Sequence, residues 1–221
     1  MMKFFKALLV CLIVTSFISV PNPVAAETIY QPEHVAKFRI EKNEGIINIQ
    51  GTIDEDSATQ TDNAFIFFKL HNIHNVIIHL HSLGGSVKAG IKIIDDMNAA
   101  KDLKVDVITM VDHKEYCASM CTAIFAAGSS RIAAADTIWM FHSPFVKLTD
   151  EEKNDPMIVL AAKLQTATAR RIMLAVYRSA DPMFTDTVLV KYVNDDTGKQ
   201  LILYGSDLIK HTNFITFGII N

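Results

Sequence analysis

Two periods alternate along the chain. Short β-rich runs occupy residues 45–50 (GIINIQ, closed by Gly51), 76–80, 105–111 and 138–141, and each is expected to be a strand. Between them lie stretches with helical spacing. Residues 57–70 carry Ala64, Phe67, Phe68 and Leu70 on or near one face, and residues 87–97 place Val87, Ile91, Ile94 and Met97 three and four apart. Residues 118–127 form an apolar run closed by Gly128, a usual helix stop. Pro156 opens a long helix through about residue 178, with Ile158, Ala161, Leu164, Thr168, Ile172 and Ala175 along its expected stripe. Residues 188–193 fit strand or helix equally. Strands alternating with helices predict an α/β domain with a largely parallel sheet.

Residues 1–26 follow a different rule. Lys3 and Lys6 precede an apolar stretch from Ala7 to Val20, Pro21 and Pro23 break it, and Val24-Ala25-Ala26 supplies small residues for a signal peptidase. The apolar run is shorter than the roughly 20 residues that span a bilayer, so a cleavable signal peptide is favoured over an anchor. Cleavage after Ala26 would leave Glu27 as the mature terminus of a single domain, residues 27–221, in the periplasm or outside the cell. Losing Lys3 and Lys6 takes the formal charge from −3 to −5. That mildly acidic balance gives no reason to expect a nucleic-acid partner.

Candidate chemistry concentrates in the middle of the chain. Ser119 lies in Tyr116-Cys117-Ala118-Ser119-Met120-Cys121, at the start of the apolar helix. A serine there is either a cap for the helix or a hydroxyl placed where amide groups face a developing charge. His142 ends the fourth strand and could serve as its base. Gly84-Gly85 follow a strand and precede a helix, where backbone amides can approach a substrate. His79 and His81 share one strand face, but no third ligand follows at a metal-site spacing, and no metal or other cofactor is expected. Cys117 and Cys121 bracket Ser119 and are either bonded or two small buried residues. Within a regular helix their Cβ atoms would stand roughly 6 Å apart, against about 3.5–4.5 Å in a disulfide, so a bond requires Cys117 to lie outside the helix.

The runs His81-Ser82-Leu83-Gly84-Gly85-Ser86-Val87, Ala118-Ser119-Met120 and Phe141-His142-Ser143-Pro144 together resemble the proteolytic subunit of the Clp protease, ClpP, and its exported relatives. The resemblance runs from about Gly45 to Ile209. It implies the ClpP/crotonase fold, with repeated β-β-α units and helices flanking a largely parallel sheet. It implies a serine peptidase with Ser119 as nucleophile, His142 as base, the Gly85 and Met120 amides as oxyanion donors, and Gly84 and Ser86 in the substrate loop. Leu83 stands where that loop usually carries proline, which should loosen the turn slightly. Asp196 aligns with the acid-bearing segment, with Asp195 as competitor, so the site is a triad or a dyad.

The implied substrates are peptides or unfolded segments, and a homo-oligomer is an implied assembly. The cytoplasmic family works with ATP-driven unfoldases, so an exported chain is expected to have no ATPase partner. Three other readings share the fold: an inactive scaffold, a binding module using the family's oligomeric surfaces, and a crotonase-type acyl-CoA enzyme. An α/β-hydrolase is disfavoured, because Gly-x-Ser-x-Gly is absent and its acid would precede its histidine.

Overall fold

The structure is a computed structural model that describes residues 37–220. The expected signal peptide and its cleavage point lie outside the described residues. In chain order the elements are β1 (Lys37–Glu41), β2 (Glu44–Ile53), α1 (Glu55–Leu70), β3 (Asn75–Gly85), α2 (Val87–Asp102), β4 (Asp106–Val111), β5 (Tyr116–Ala118), α3 (Met120–Ala126), β6 (Ser130–Ala134), β7 (Ile138–His142) and α4 (Pro156–Ala180). A broken helical segment follows, made of α5 (Pro182–Phe184), a π-helical stretch Thr185–Leu189 and α6 (Val190–Val193). It resolves the strand-or-helix ambiguity of residues 188–193 as helix. The chain then forms β8 (Gln200–Tyr204), α7 (Gly205–His211) and β9 (Phe217–Ile219).

The strands make one nine-stranded sheet in the order β8-β7-β5-β3-β4-β6-β9, with β2 also beside β3 and β1 beside β2. All pairs are parallel except β1–β2 and β7–β8. This is a mixed α/β fold with helices against a largely parallel sheet. Strand pairs precede α1, α3 and α4, while a single strand precedes α2.

Alternation decides which side chains enter the core. On β3, Val76, Ile78, Leu80 and Ser82 are buried while His79 and His81 are half-buried on the opposite face. On β7, Trp139 and Phe141 are fully buried and meet Phe125 of α3, Tyr177 of α4 and Phe214 in an aromatic cluster. Such rings bury large apolar areas and gain further from edge-to-face contact.

Two expected helix faces need correction. On α4 the buried positions are Ala162, Ala169, Met173, Leu174, Tyr177 and Ala180, not the stripe through Leu164 and Ala175. The core meets mainly the second half of the helix, leaving Met157, Leu160 and Leu164 exposed. On α1, Leu70 lies at the surface, and small residues such as Ser57, Ala58 and Thr61 do the close packing.

Candidate active site

Three adjacent parallel strands, β3, β5 and β7, carry the candidate residues at their carboxyl ends. Open α/β sheets commonly present ligands at that edge. Gly84-Gly85 close β3, Ser119 follows β5, and His142 closes β7. The antiparallel β8 begins at the same edge, where Gln200 pairs with His142.

Ser119 sits between β5 and α3 rather than inside the first helical turn that the apolar run suggested. Its backbone has φ 55° and ψ −123°, and its side chain makes no capping hydrogen bond. A capping serine keeps an extended backbone and accepts from an amide of the first turn. Ser119 does neither, which removes the capping explanation. Such a conformation costs of order 1–3 kcal/mol in a residue with a β-carbon, so its surroundings must hold it. Those contacts are visible. The Ser119 amide donates to the Met140 carbonyl at 2.8 Å, and the Ser119 carbonyl accepts from the Thr122 amide at 3.0 Å and hydroxyl at 2.6 Å. The Thr122 hydroxyl in turn lies 2.7 Å from the buried Tyr177 hydroxyl of α4. With its own proton given to Ser119, Thr122 accepts from Tyr177. Burial holds the Tyr177 phenol well above its usual range.

The glycine turn closes over the same point. Gly84 and Gly85 have φ of 97° and 152°. A β-carbon on Gly84 would lie 2.7 Å from Ser119 Cβ and 2.8 Å from the Ala118 carbonyl, and one on Gly85 would lie 2.2 Å from the Ile53 carbonyl. Only glycine fits either place. Leu83 is exposed, and the turn lacks the rigidity of a proline there. Instead the Ser82 hydroxyl ties it, donating to the Gly51 carbonyl at 2.5 Å and accepting from the Gly84 amide at 3.0 Å. The Ser86 hydroxyl accepts from the Ala89 amide at 3.2 Å and caps α2. Met120 is the first residue of α3, so its amide has no acceptor within the helix.

His142 is half-buried, and its Nδ1 lies 2.7 Å from the Ser143 carbonyl. A carbonyl can only accept, so Nδ1 carries the proton and Nε2 of the neutral ring keeps a lone pair. The expected hydrogen bond from His142 to Asp196 is not the one formed. Asp196 instead accepts from Arg170 of α4, whose Nε also donates to the buried Ser143 hydroxyl at 3.0 Å. Asp195 is engaged by its own turn, accepting from the Thr197 and Lys199 amides at 2.8 Å each. Those bonds hold its carboxyl below the usual range, the Lys199 amide contributing most. The Asp196 side chain is 82% exposed. Ion pairs with such exposure are worth about 0–1 kcal/mol, so Arg170 is a weak lock on it.

Cys117 and Cys121 form a disulfide, with Cα atoms 5.3 Å apart. Cys117 belongs to β5, outside the helix, which satisfies the geometric condition for the bond. His79 and His81 meet acids of the β4–β5 loop, His79 at 2.9 Å from Asp112 and His81 at 3.6 Å from Glu115. Arg170, Thr122 and Tyr177 carried no signal in the sequence, since each acts through a partner placed by the fold, and Ser143 was visible only as part of the run after His142.

Two grooves flank the segment 144–146. One, of about 690 Å³, runs from Gly85 and Ser86 along Val87, Ile91, Phe145 and Leu164. The other, of about 750 Å³, holds His142, Arg170, Asp195 and Asp196. The sequence profile of the Clp protease family matches residues 33–179, a span that contains the glycine turn, Ser119 and His142 and ends before Asp196. The chain belongs to the Clp protease family. It is 30% identical over 102 residues to the ATP-dependent Clp protease proteolytic subunit of Streptococcus pyogenes serotype M5 (strain Manfredo) and to that of Streptococcus equi subsp. equi (strain 4047). The aligned stretch is 45% of this chain and 50% of each relative, so the chain spans about half the length of the curated relatives it matches.

Proposed function

We propose that this chain is a serine peptidase in which Ser119 attacks a peptide carbonyl and His142 accepts its proton. The observation that carries the reading is the backbone of Ser119, held at φ 55° and ψ −123° with its side chain released from capping. His142 Nε2 takes the hydroxyl proton as the Ser119 oxygen bonds to the carbonyl carbon. The oxyanion is stabilised by the amides of Gly85 and Met120, at the tips of β3 and α3. Protonated His142 then delivers its proton to the leaving amine. Water, deprotonated by the same ring, releases the acyl group and restores Ser119. The Ser143 carbonyl orients the imidazole, while Asp196 meets Arg170 through one carboxylate oxygen.

Peptides and unfolded segments suit the apolar groove beside Gly85. Export after Ala26 is part of the proposal and is supported by the Cys117–Cys121 disulfide, since such bonds persist in oxidising compartments. A homo-oligomeric assembly and operation without an ATP-driven partner are further parts of the proposal. The inactive scaffold is the second reading, favoured by the engagement of Asp196 with Arg170. Labelling with a fluorophosphonate probe, with the modified residue mapped by mass spectrometry, decides between them. Modification of Ser119, lost in Ser119→Ala, is expected. No labelling of the wild type, or labelling that survives in Ser119→Ala, would remove the peptidase assignment.

A further inference from the structure

The Cys117–Cys121 bond encloses the three residues 118–120, and Ser119 is the middle one. Its two anchors belong to different elements. Cys117 is fixed in β5 by register with Ser82 of β3 on one side and Trp139 of β7 on the other. Cys121 is fully buried in α3. The bond therefore joins the last strand residues before Ser119 to the first helical turn after it. Any change in the Ser119 backbone that moves α3 relative to β5 also moves the two sulfur atoms relative to each other.

We propose that this disulfide is a positioning clamp, which holds the Ser119 turn in the geometry that presents its hydroxyl and the Met120 amide to substrate. The proposal rests on the reading of Ser119 as nucleophile. A cross-link between residues four positions apart removes little freedom from the unfolded chain, because the loop-closure contribution grows with loop length. Its effect is local instead. It acts on the one residue of the junction whose backbone is strained, beside the Thr122–Tyr177 pair that holds the Ser119 carbonyl. Both cysteines are fully buried, so the bond belongs to the packed interior beneath Ser119.

The test uses the full oxidised chain, the double variant Cys117→Ala/Cys121→Ala, and Cys117→Ala/Cys121→Val, which restores part of the lost volume. Each is assayed for the rate of fluorophosphonate labelling at Ser119 and for kcat and KM on a fluorogenic peptide, well below its own thermal midpoint. The labelling rate and kcat are expected to fall at least about tenfold in both variants, with KM within about twofold. Reduced wild type supplies a version without substitution. A dithiol such as dithiothreitol gives two electrons and two protons to the bridge, leaving two thiols and its own cyclic disulfide. Reduction should slow labelling and reoxidation should restore it, which also covers variants that fail to fold. Unchanged labelling and kcat in folded variants, or in wild type whose Cys117–Cys121 bond thiol counting shows to be open, overturns the clamp while leaving the peptidase reading intact. An oxidised wild type that never labels overturns both.

Discussion

The amide of Ser119 donates to the carbonyl of Met140 at 2.8 Å, tying the backbone of Ser119 to the strand that ends two residues later in His142. The relative placement of serine and histidine is thereby set by sheet register, with Ala118 opposite Met140, and not by contact between their side chains. Met140→Leu should accordingly leave the labelling rate within about twofold of wild type, while His142→Ala should lower it by about 10²–10⁴ through loss of the base. A large loss in Met140→Leu would show that the side chain, and not the ladder, sets the spacing.

Gly84→Ala should abolish labelling and lower stability by at least about 1 kcal/mol, because the new methyl group meets Ser119 Cβ at 2.7 Å at a positive φ. Gly198→Ala is the control. Its φ is also positive, at 83°, but nothing lies within 4 Å, so it should lose stability and keep its labelling rate. Thermal unfolding and probe kinetics on both variants separate strain from site damage.

Asp196→Asn should reduce turnover by less than about tenfold, because the imidazole is oriented by the Ser143 carbonyl and Asp196 is held by Arg170. A fall of about four orders of magnitude would instead mean that Asp196 accepts from His142 during turnover. Steady-state kinetics beside Asp195→Asn, where the loss should be confined to turn stability, distinguishes the outcomes.

Stability should fall at high pH through Tyr177. Burial raises the phenol's folded-state pKa, so its contribution is complete below the unfolded value of about 10 and is lost as the pH rises above it. Tyr177→Phe should be less stable at neutral pH, by about 0.5–1.5 kcal/mol for the lost hydrogen bond to Thr122, yet flatter between pH 9 and 11, a window on the order of one unit either side of that pKa. Parallel denaturation curves for the two proteins across that range would contradict this.

Much of the frame was legible because β2, β3, β4 and α2 carry clear periods and Pro156 marks the start of α4, although the buried faces of α1 and α4 differ from the expected ones. β5 was not. Its three residues, Tyr-Cys-Ala, run into the apolar Met-Cys-Thr-Ala of α3 without a change of composition, so the strand-to-helix junction at Ser119 leaves no mark in the pattern. β6 was missed for a related reason, since Ser-Arg-Ile-Ala-Ala lacks alternation. Arg131 within it donates to the Phe214 and Gly128 carbonyls at 2.8 and 3.1 Å, partners set by the tertiary fold. Within the site, Ser119, His142 and the glycines could be named from local context. The partner of His142 could not, because the choice between Ser143 and Asp196 depends on where α4 places Arg170.

The carboxyl-edge placement of the site has a consequence for how this scaffold can change. The bodies of β3, β5 and β7 carry Leu80, Cys117, Trp139 and Phe141, all fully buried, whereas the segment after His142 includes the exposed Phe145 and Val146 and borders both grooves. Durability and selectivity are thus written in separate stretches of the polypeptide. Substitutions at Phe145, Val146 and Leu148 can reshape the grooves without touching the interior that keeps the strands in register. The rim can therefore change while the interior stays the same.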